Sequence, residues 1–354
     1  MKLLLIMPEL IWGGAERQFR YLITEIIGGA VVYVMHSYSN QDDFDIEEKK
    51  FIEENGQSVY LQNHVKSNNR IKKVMALTAI VGKIIDKYGI TSALVYEPDG
   101  CYMIPYLKSR KISVIYSERN SGEGVVNSRF LKHLVKRADY ITANSKDASE
   151  LLEKKLKRVV IYIKNGIEDI HSFLPKVGLC RNVLVPARIA PIKNQRLILE
   201  FLKKYKDWDG IIFFAGKNDD NDYENMLQNM IKDSKIERKV VFGGFCSEMD
   251  SIYKCSDVVV LPSYKEGMSN VILECFLRGI PIFVSRISMN VFTDYLEKFS
   301  FDPNSPEELM ECFVKWDKLP FSEKERVLIE NFEYVIKEHS ISKMVKEYSK
   351  LILL

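Results

Sequence analysis

The chain has 354 residues, 46% hydrophobic and 28% charged, with a formal net charge of +3 and an isoelectric point near 8.3. That length exceeds one ordinary core and suits two domains of roughly 100–200 residues. The mild basic excess excludes a dedicated nucleic-acid binder, so no nucleic-acid partner is expected.

The six cysteines, Cys101, Cys180, Cys246, Cys255, Cys275 and Cys312, are scattered without a CxxC pair or zinc-finger spacing. This usage suits reduced thiols in a cytosol, and a cytoplasmic location is expected. In chain order, the first apolar run, Leu3–Met7, is broken by Pro8 and Glu9 and lacks a small-residue cleavage site. It reads as a buried strand rather than a signal peptide. Similar runs at Val31–His36, Ala93–Tyr96, Val114–Tyr116, Tyr140–Thr142 and Val159–Ile163 alternate with segments of helical period. Parallel strands joined by crossover helices follow from this rhythm.

The rhythm restarts at Asn182–Pro186 and continues through Ile211–Ala215, Lys239–Phe242, Asp257–Leu261 and Pro281–Val284. This predicts an α/β chain with two Rossmann-like, doubly wound parallel sheets. Between the two runs, Glu168–Leu179 holds Pro175 and Gly178 and has no period, which places domains over 1–170 and 171–335. Beyond residue 305 the pattern is helical. The tail 336–354, amphipathic from Ile341 to Leu354, is expected to pack back on the first domain. No stretch reaches the roughly 20 apolar residues that span a bilayer, so any membrane contact is expected to be peripheral.

Three strand-to-helix junctions carry residues suited to chemistry. After the first strand comes Trp12-Gly13-Gly14-Ala15-Glu16-Arg17, in which Gly13 and Gly14 let backbone amides approach an anion or a sugar hydroxyl. Alone, it is equally a plain turn, and its departure from GxGxxG argues against a nicotinamide site. In the second half, the loop Pro186–Gln195 carries Arg188 and Lys193, a planar fork and a point charge able to converge on a diphosphate. The same pair read in isolation is an ordinary solvated loop.

The third junction follows Val258–Leu261 and reads Pro262-Ser263-Tyr264-Lys265-Glu266-Gly267-Met268-Ser269-Asn270-Val271-Ile272-Leu273-Glu274. Gly267 permits a tight loop, and Ser269 or Asn270 can start a helix whose positive end faces a phosphate. Glu266 and Glu274 can accept hydroxyls from a sugar and from a ribose.

On GGAERQ, Asn165–Ile167 (NGI), ARIAPIKNQ, Val240–Phe245 (VVFGGF) and EGMSNVILE with its Glu-x7-Glu spacing, the chain resembles glycosyltransferase family 4 over nearly its full length. These are retaining nucleotide-sugar transferases of the GT-B fold, in which two domains face a cleft, within the glycosyl transferases group 1. By that resemblance, Arg188 and Lys193 bind the donor diphosphate and neutralise the leaving group, Glu266 contacts the transferred sugar and Glu274 holds the ribose. The backbone around Gly243, Gly244 and Phe245 meets the base, the amides of Gly267, Met268, Ser269 and Asn270 add to the phosphate site, and Gly13 and Gly14 approach from the other domain.

Many family members carry a histidine at the end of a first-domain strand, where this chain reads Tyr116-Ser117-Glu118-Arg119-Asn120. Glu118 and Arg119 are therefore candidates to bind sugar or stabilise charge, or to form a structural ion pair. Asp219-Asp220-Asn221-Asp222 resembles a metal-binding Asp-x-Asp, but its place before a helical pattern makes it a helix cap. No metal or other cofactor is expected.

The helical pattern Asn127–Arg137 sets Phe130, Leu131, Leu134 and Val135 on one side and Arg129, Lys132, Lys136 and Arg137 on the other. It is either an ordinary surface helix or one that lies on an anionic membrane and meets a lipid-linked acceptor. The expected activity is transfer of a hexose or N-acetylhexosamine, with a UDP-sugar as donor, to a glycan acceptor such as a lipid-linked O-antigen or capsule precursor. A nucleotide-sugar epimerase or hydrolase, or a catalytically silent partner of the same fold, are the alternatives. The joint presence of Arg188, Lys193, Glu266 and Glu274 argues against the silent partner.

Overall fold

The computed structural model describes residues 2–7, 14–25, 30–37, 50–51, 53–55, 58–63, 70–96, 100–168, 173–246, 248–289, 291 and 293–353. The chain divides into two units, Met1–Ile167 with His339–Leu354, and Glu168–Glu338.

The first unit contains β1 (Lys2–Met7), α1 (Gly14–Glu25), β2 (Ala30–Ser37), β3 (Ser58–Asn63), α2 (Arg70–Tyr88), β4 (Ile90–Tyr96), α3 (Ile104–Ser109), β5 (Ser113–Glu118), α4 (Glu123–Asn127), α5 (Arg129–Val135), β6 (Tyr140–Ala143), α6 (Lys146–Leu156) and β7 (Ile161–Tyr162). Its strands are parallel in the order β3-β2-β1-β4-β5-β6-β7. Strand alternation sends Leu4, Ile6, Ala93, Val95, Val114 and Tyr116 to one face and Leu3, Leu5, Met7, Leu94, Tyr96 and Ile115 to the other. Both faces are covered, which is why these strands read as unbroken apolar runs. β3 lies outside the sequence expectation. It is an edge strand whose Ser58, Gln62 and Asn63 dilute the apolar signal.

The second unit contains β8 (Asn182–Pro186), α7 (Gln195–Lys204), β9 (Ile211–Ala215), α8 (Asn221–Ser234), β10 (Val240–Gly244), α9 (Met249–Cys255), β11 (Val258–Leu261), α10 (Asn270–Arg278), β12 (Ile282–Ser285), α11 (Asp294–Lys298), β13 (Ser300–Phe301), α12 (Pro306–Lys318) and α13 (Phe321–Glu338). Its order is β10-β9-β8-β11-β12-β13, again all parallel. In each sheet the winding reverses once, between β1 and β4 and between β8 and β11. Doubly wound sheets open a crevice at the carboxyl ends of the strands at such a reversal.

The last helix, α14 (Ile341–Leu353), belongs to the first unit. Met344, Tyr348, Leu351 and Ile352 join Phe19, Leu22 and Ile23 of α1 in one buried cluster. The Tyr348 hydroxyl lies 2.9 Å from Ser117 Oγ and accepts from Arg119 at 3.4 Å, and Ser92 Oγ donates to the Ile352 carbonyl at 3.4 Å. The boundary drawn from sequence at 335/336 moves to 338/339, because α13 continues unbroken to Glu338 and packs along α10.

The helix expected over Asn127–Arg137 is interrupted. Ser128 is extended and caps α5 by accepting from Leu131 N at 3.2 Å. Leu134 and Val135 are buried, whereas Phe130, assigned to the same apolar side, is 56% exposed. No described helix is long and apolar enough to cross a membrane.

Tyr348→Phe would keep the ring and leave Ser117 and Arg119 short of a buried partner, which costs about 1–3 kcal/mol. A lower urea midpoint for the first unit is the expected result, and an unchanged midpoint would show that the hydroxyl contributes nothing.

Candidate active site

In the second unit, the reversal between β8 and β11 is built from three loops held together by buried side chains. The loop after β8 closes with a short 3-10 turn, Pro191–Lys193, followed by Asn194 in the left-handed region at φ 54°. Asn tolerates that backbone better than most residues. Buried Asn194 donates through Nδ2 to the Pro262 carbonyl at 3.1 Å and the Pro303 carbonyl at 2.8 Å. It thereby links the loops after β8, β11 and β13. Buried Gln195 donates to the Arg188 carbonyl at 2.8 Å, and Tyr264 N donates to the Ile192 carbonyl at 2.9 Å.

This scaffold brings Lys193 and Glu266 together. Lys193 Nζ lies 2.7 and 2.8 Å from the two carboxylate oxygens of Glu266, with the side chains 18% and 12% exposed. Ser263 Oγ donates to the same carboxylate at 2.6 Å, while the Ser263 carbonyl accepts from Ser288 Oγ at 2.6 Å and from Ser285 Oγ. Glu266 is thus aimed by two side chains from two loops.

Arg188 is placed differently. Its guanidinium pairs with Asp219 on the loop after β9 and is 57% exposed. The two cations therefore share a loop but face different acids. Asp219 N donates to the Ile189 carbonyl at 3.2 Å, and Asp220 caps α8 by accepting from Tyr223 N at 2.9 Å. Among the described residues, no group of three His, Cys, Asp or Glu side chains is arranged to hold a metal ion.

Glu274 lies a turn into α10, buried, and accepts from the Tyr253 hydroxyl of α9 at 2.6 Å. Burial, with the neighbouring carboxylate, pushes the Tyr253 phenol well above its usual range, so it remains a donor. Arg278 stacks over the Tyr253 ring at 4.7 Å and donates to the Glu274 carbonyl at 3.1 Å. Gly267 and Met268 form a bend, Ser269 occupies the N-cap of α10, and Asn270 begins it.

Gly243 and Gly244 end β10, with Gly244 left-handed at φ 63°, and Phe245 follows, 52% exposed. A Cβ on Gly243 would meet the Phe213 ring at 2.3 Å. These residues share the carboxyl edge with Lys193 but sit two strands away from β8.

In the first unit, Gly14 begins α1; Gly13 lies outside the described residues. Glu118 ends β5 and is buried, accepting from Tyr116 OH at 2.8 Å and Asn120 N at 3.0 Å. Burial raises its pKa, against the opposing pull of these bonds and of Arg119. Arg119 is buried too. It donates to Asn165 Oδ1 at 2.7 Å and, as noted, to Tyr348, with Nε unpartnered. Asn144 Nδ2 donates to the Arg119 carbonyl at 3.2 Å. The side chains of Glu118 and Arg119 engage separate partners, so the segment is a buried polar cluster tying β5 to α14 rather than the simple ion pair entertained from sequence.

Asn194, Ser263, Tyr253 and Gly216 escaped the sequence reading. Asn194 and Ser263 lay inside quoted motifs. Gly216 had a signal in its place directly after an apolar strand; a Cβ there would meet the Ala187 carbonyl oxygen at 2.1 Å, so only glycine lets the loops after β8 and β9 touch.

Residues 167–333 match the family described as glycosyl transferases group 1. The second unit is a group 1 glycosyltransferase domain. The chain is similar to the O-antigen biosynthesis glycosyltransferase WclY of Escherichia coli, 25% identical over 55% of each chain. It is also similar to the E. coli UDP-Gal:alpha-D-GlcNAc-diphosphoundecaprenol alpha-1,3-galactosyltransferase, 32% identical over 40% of this chain and 39% of that one. The matches thus span about half or less of these relatives' length. The fold is similar to that of Anabaena Alr3699/HepE, crystallised with UDP and glucose, at TM-score 0.83 and 17% identity over 99% of this chain and 98% of that one. This likeness shows the GT-B fold of two Rossmann-like sheets.

Asn194→Ala would strip two buried bonds and put alanine in left-handed backbone, at a combined cost of about 2–4 kcal/mol. Denaturant unfolding of the second unit should show this loss; an unchanged midpoint would mean that Asn194 does not staple the loops.

Proposed function

We propose that the chain is a retaining glycosyltransferase that moves a hexose or N-acetylhexosamine from a UDP-sugar to a lipid-linked surface-polysaccharide precursor, such as an O-antigen or capsule intermediate. The carrying observation is the Lys193–Glu266 pair, steadied by Ser263, at the reversal between β8 and β11. The group 1 domain, the UDP and glucose named in the HepE structure and the diphosphoundecaprenol named in the galactosyltransferase support the reading.

In this reading the donor's anomeric C–O bond breaks and the acceptor oxygen bonds to the same carbon from the same face. The acceptor proton passes to the departing diphosphate. Negative charge grows on that diphosphate, and Lys193, Arg188 and the amides of the Gly267–Asn270 bend neutralise it, supplying what a divalent ion would otherwise give. The Lys193 ammonium exchanges part of its contact with Glu266 for phosphate oxygens. Glu266 then turns its carboxylate to hydroxyls of the transferred sugar, Glu274 holds the ribose and Gly243–Phe245 meet the base. Gly13 and Gly14 serve the diphosphate or the acceptor from the first unit, and Glu118 and Arg119 support the reacting sugar from behind the carboxyl end of β5.

Two variants separate these roles by calorimetric titration with UDP. Lys193→Ala should weaken UDP binding about 10–100-fold, the worth of one charge-assisted contact. Glu266→Gln should leave UDP binding unchanged or tighter, because it removes the competitor for Lys193, while sugar transfer falls at least 100-fold. Equal loss of UDP binding in both variants, or no UDP binding by the parent chain, would overturn the assignment.

A further inference from the structure

A concavity of about 630 Å³ opens on the first unit, lined by Arg129, Phe130, Lys132, His133, Lys136 and Lys155 from α5 and α6. The lining holds four cations and no carboxylate. Sequence extends the asymmetry: 128–137 and 154–158 carry Arg129, Lys132, Lys136, Arg137, Lys154, Lys155, Lys157 and Arg158 and no Asp or Glu.

Nearby acids are engaged elsewhere. Asp139 pairs with Lys108 at 2.7 Å and accepts from Val114 N at 2.7 Å. Glu153 accepts from Val160 N at 3.2 Å. The base of the patch is fixed, since Leu134 and Val135 are buried and Arg158 donates to the Lys136, Ala138 and Asp139 carbonyls at 2.5, 3.2 and 3.1 Å.

Phe130 stands in this basic ring, exposed, its ring 6.0 Å from that of Tyr102. Cations around an exposed aromatic complement a surface that is anionic outside and apolar beneath, as an acidic leaflet is.

We infer that the α5–α6 concavity is a docking site for the phosphate headgroups of an anionic phospholipid bilayer, with Phe130 entering the interface between them. The inference deepens the proposed lipid-linked acceptor by naming the surface that meets the membrane. Headgroup phosphates sit among Arg129, Lys132, Lys136 and Lys155, and the attraction declines with salt as the screening length shortens to about 8 Å near physiological ionic strength.

The test is co-sedimentation of the full chain with phosphatidylglycerol/phosphatidylcholine vesicles and with vesicles of phosphatidylcholine alone. Binding is expected only with phosphatidylglycerol, falling as sodium chloride is raised. The double variant Lys132→Glu, Lys136→Glu should weaken partitioning at least 25-fold, about fivefold for each cation removed. Phe130→Ala should weaken it about tenfold without altering the salt dependence.

An unchanged thermal melting curve shows that each variant is folded. UDP titration of the same preparations reads the donor site independently, so loss of vesicle binding by the parent with UDP binding intact overturns this inference alone. Equal binding to both vesicle types, binding undiminished in the double variant, or displacement of bound vesicles by single-stranded DNA at matched charge would equally overturn it; the last outcome would mark a general polyanion surface.

Discussion

A lysine and a glutamate from different loops are held in contact at the carboxyl edge of the second sheet, largely shielded from water. Such a pair gains little net stability, because the attraction must offset the loss of hydration of both ions, yet removing one partner strands the other. Its effect is geometric. Asn194 ties the backbone beneath the pair through the Pro262 and Pro303 carbonyls, and Ser263 Oγ holds the Glu266 carboxylate. The arrangement leaves an ammonium that can change partners and a carboxylate already oriented by a hydroxyl. Opposite charges kept in readiness need little rearrangement when an anion and a polyol arrive together.

The first unit handles polarity in another way. Glu118, Arg119, Asn144 and Asn165 are buried at or behind the carboxyl ends of its strands, and Tyr348 reaches them from the last helix. A histidine there would offer a titrating ring; the Ser-Glu-Arg-Asn segment offers a fixed network that joins β5, the residues before Ile167 and α14. Two buried atoms of this network, Arg119 Nε and Asn144 Oδ1, have no hydrogen-bond partner, a cost that the rest of the network offsets.

Much of this was legible in the sequence because buried parallel strands announce themselves as uninterrupted apolar runs. All eleven runs named from sequence lie on or overlap strands, while β3 and the two-residue β13 escaped, one through its polar edge character and the other through sheer brevity. Chemistry-bearing residues were visible as types at strand ends. Their partners were not: nothing local in Lys193 says that its ammonium meets Glu266, or in Arg188 that its guanidinium meets Asp219, because those pairings depend on which loops the sheet order makes neighbours. Phe130 shows the same limit on a smaller scale. Helical spacing puts it with Leu134, and both lie in one helix, yet Leu134 joins the buried cluster while Phe130 is left 56% exposed.

The return of α14 to the first unit bears on how the chain is made. The second unit is one continuous stretch, complete once Glu338 has left the ribosome. The first lacks Met344, Tyr348, Leu351 and Ile352 until residues 341–353 emerge. Ile167 N donates to the His339 carbonyl at 2.8 Å, so the place where the chain departs is stitched to the place where it comes home. During synthesis the later-made unit can therefore finish folding before the earlier one, an inversion of the usual vectorial order in which the amino-terminal domain leads. A chain cut short after Glu338 would keep the whole group 1 domain and leave the apolar seam of the first unit unsealed.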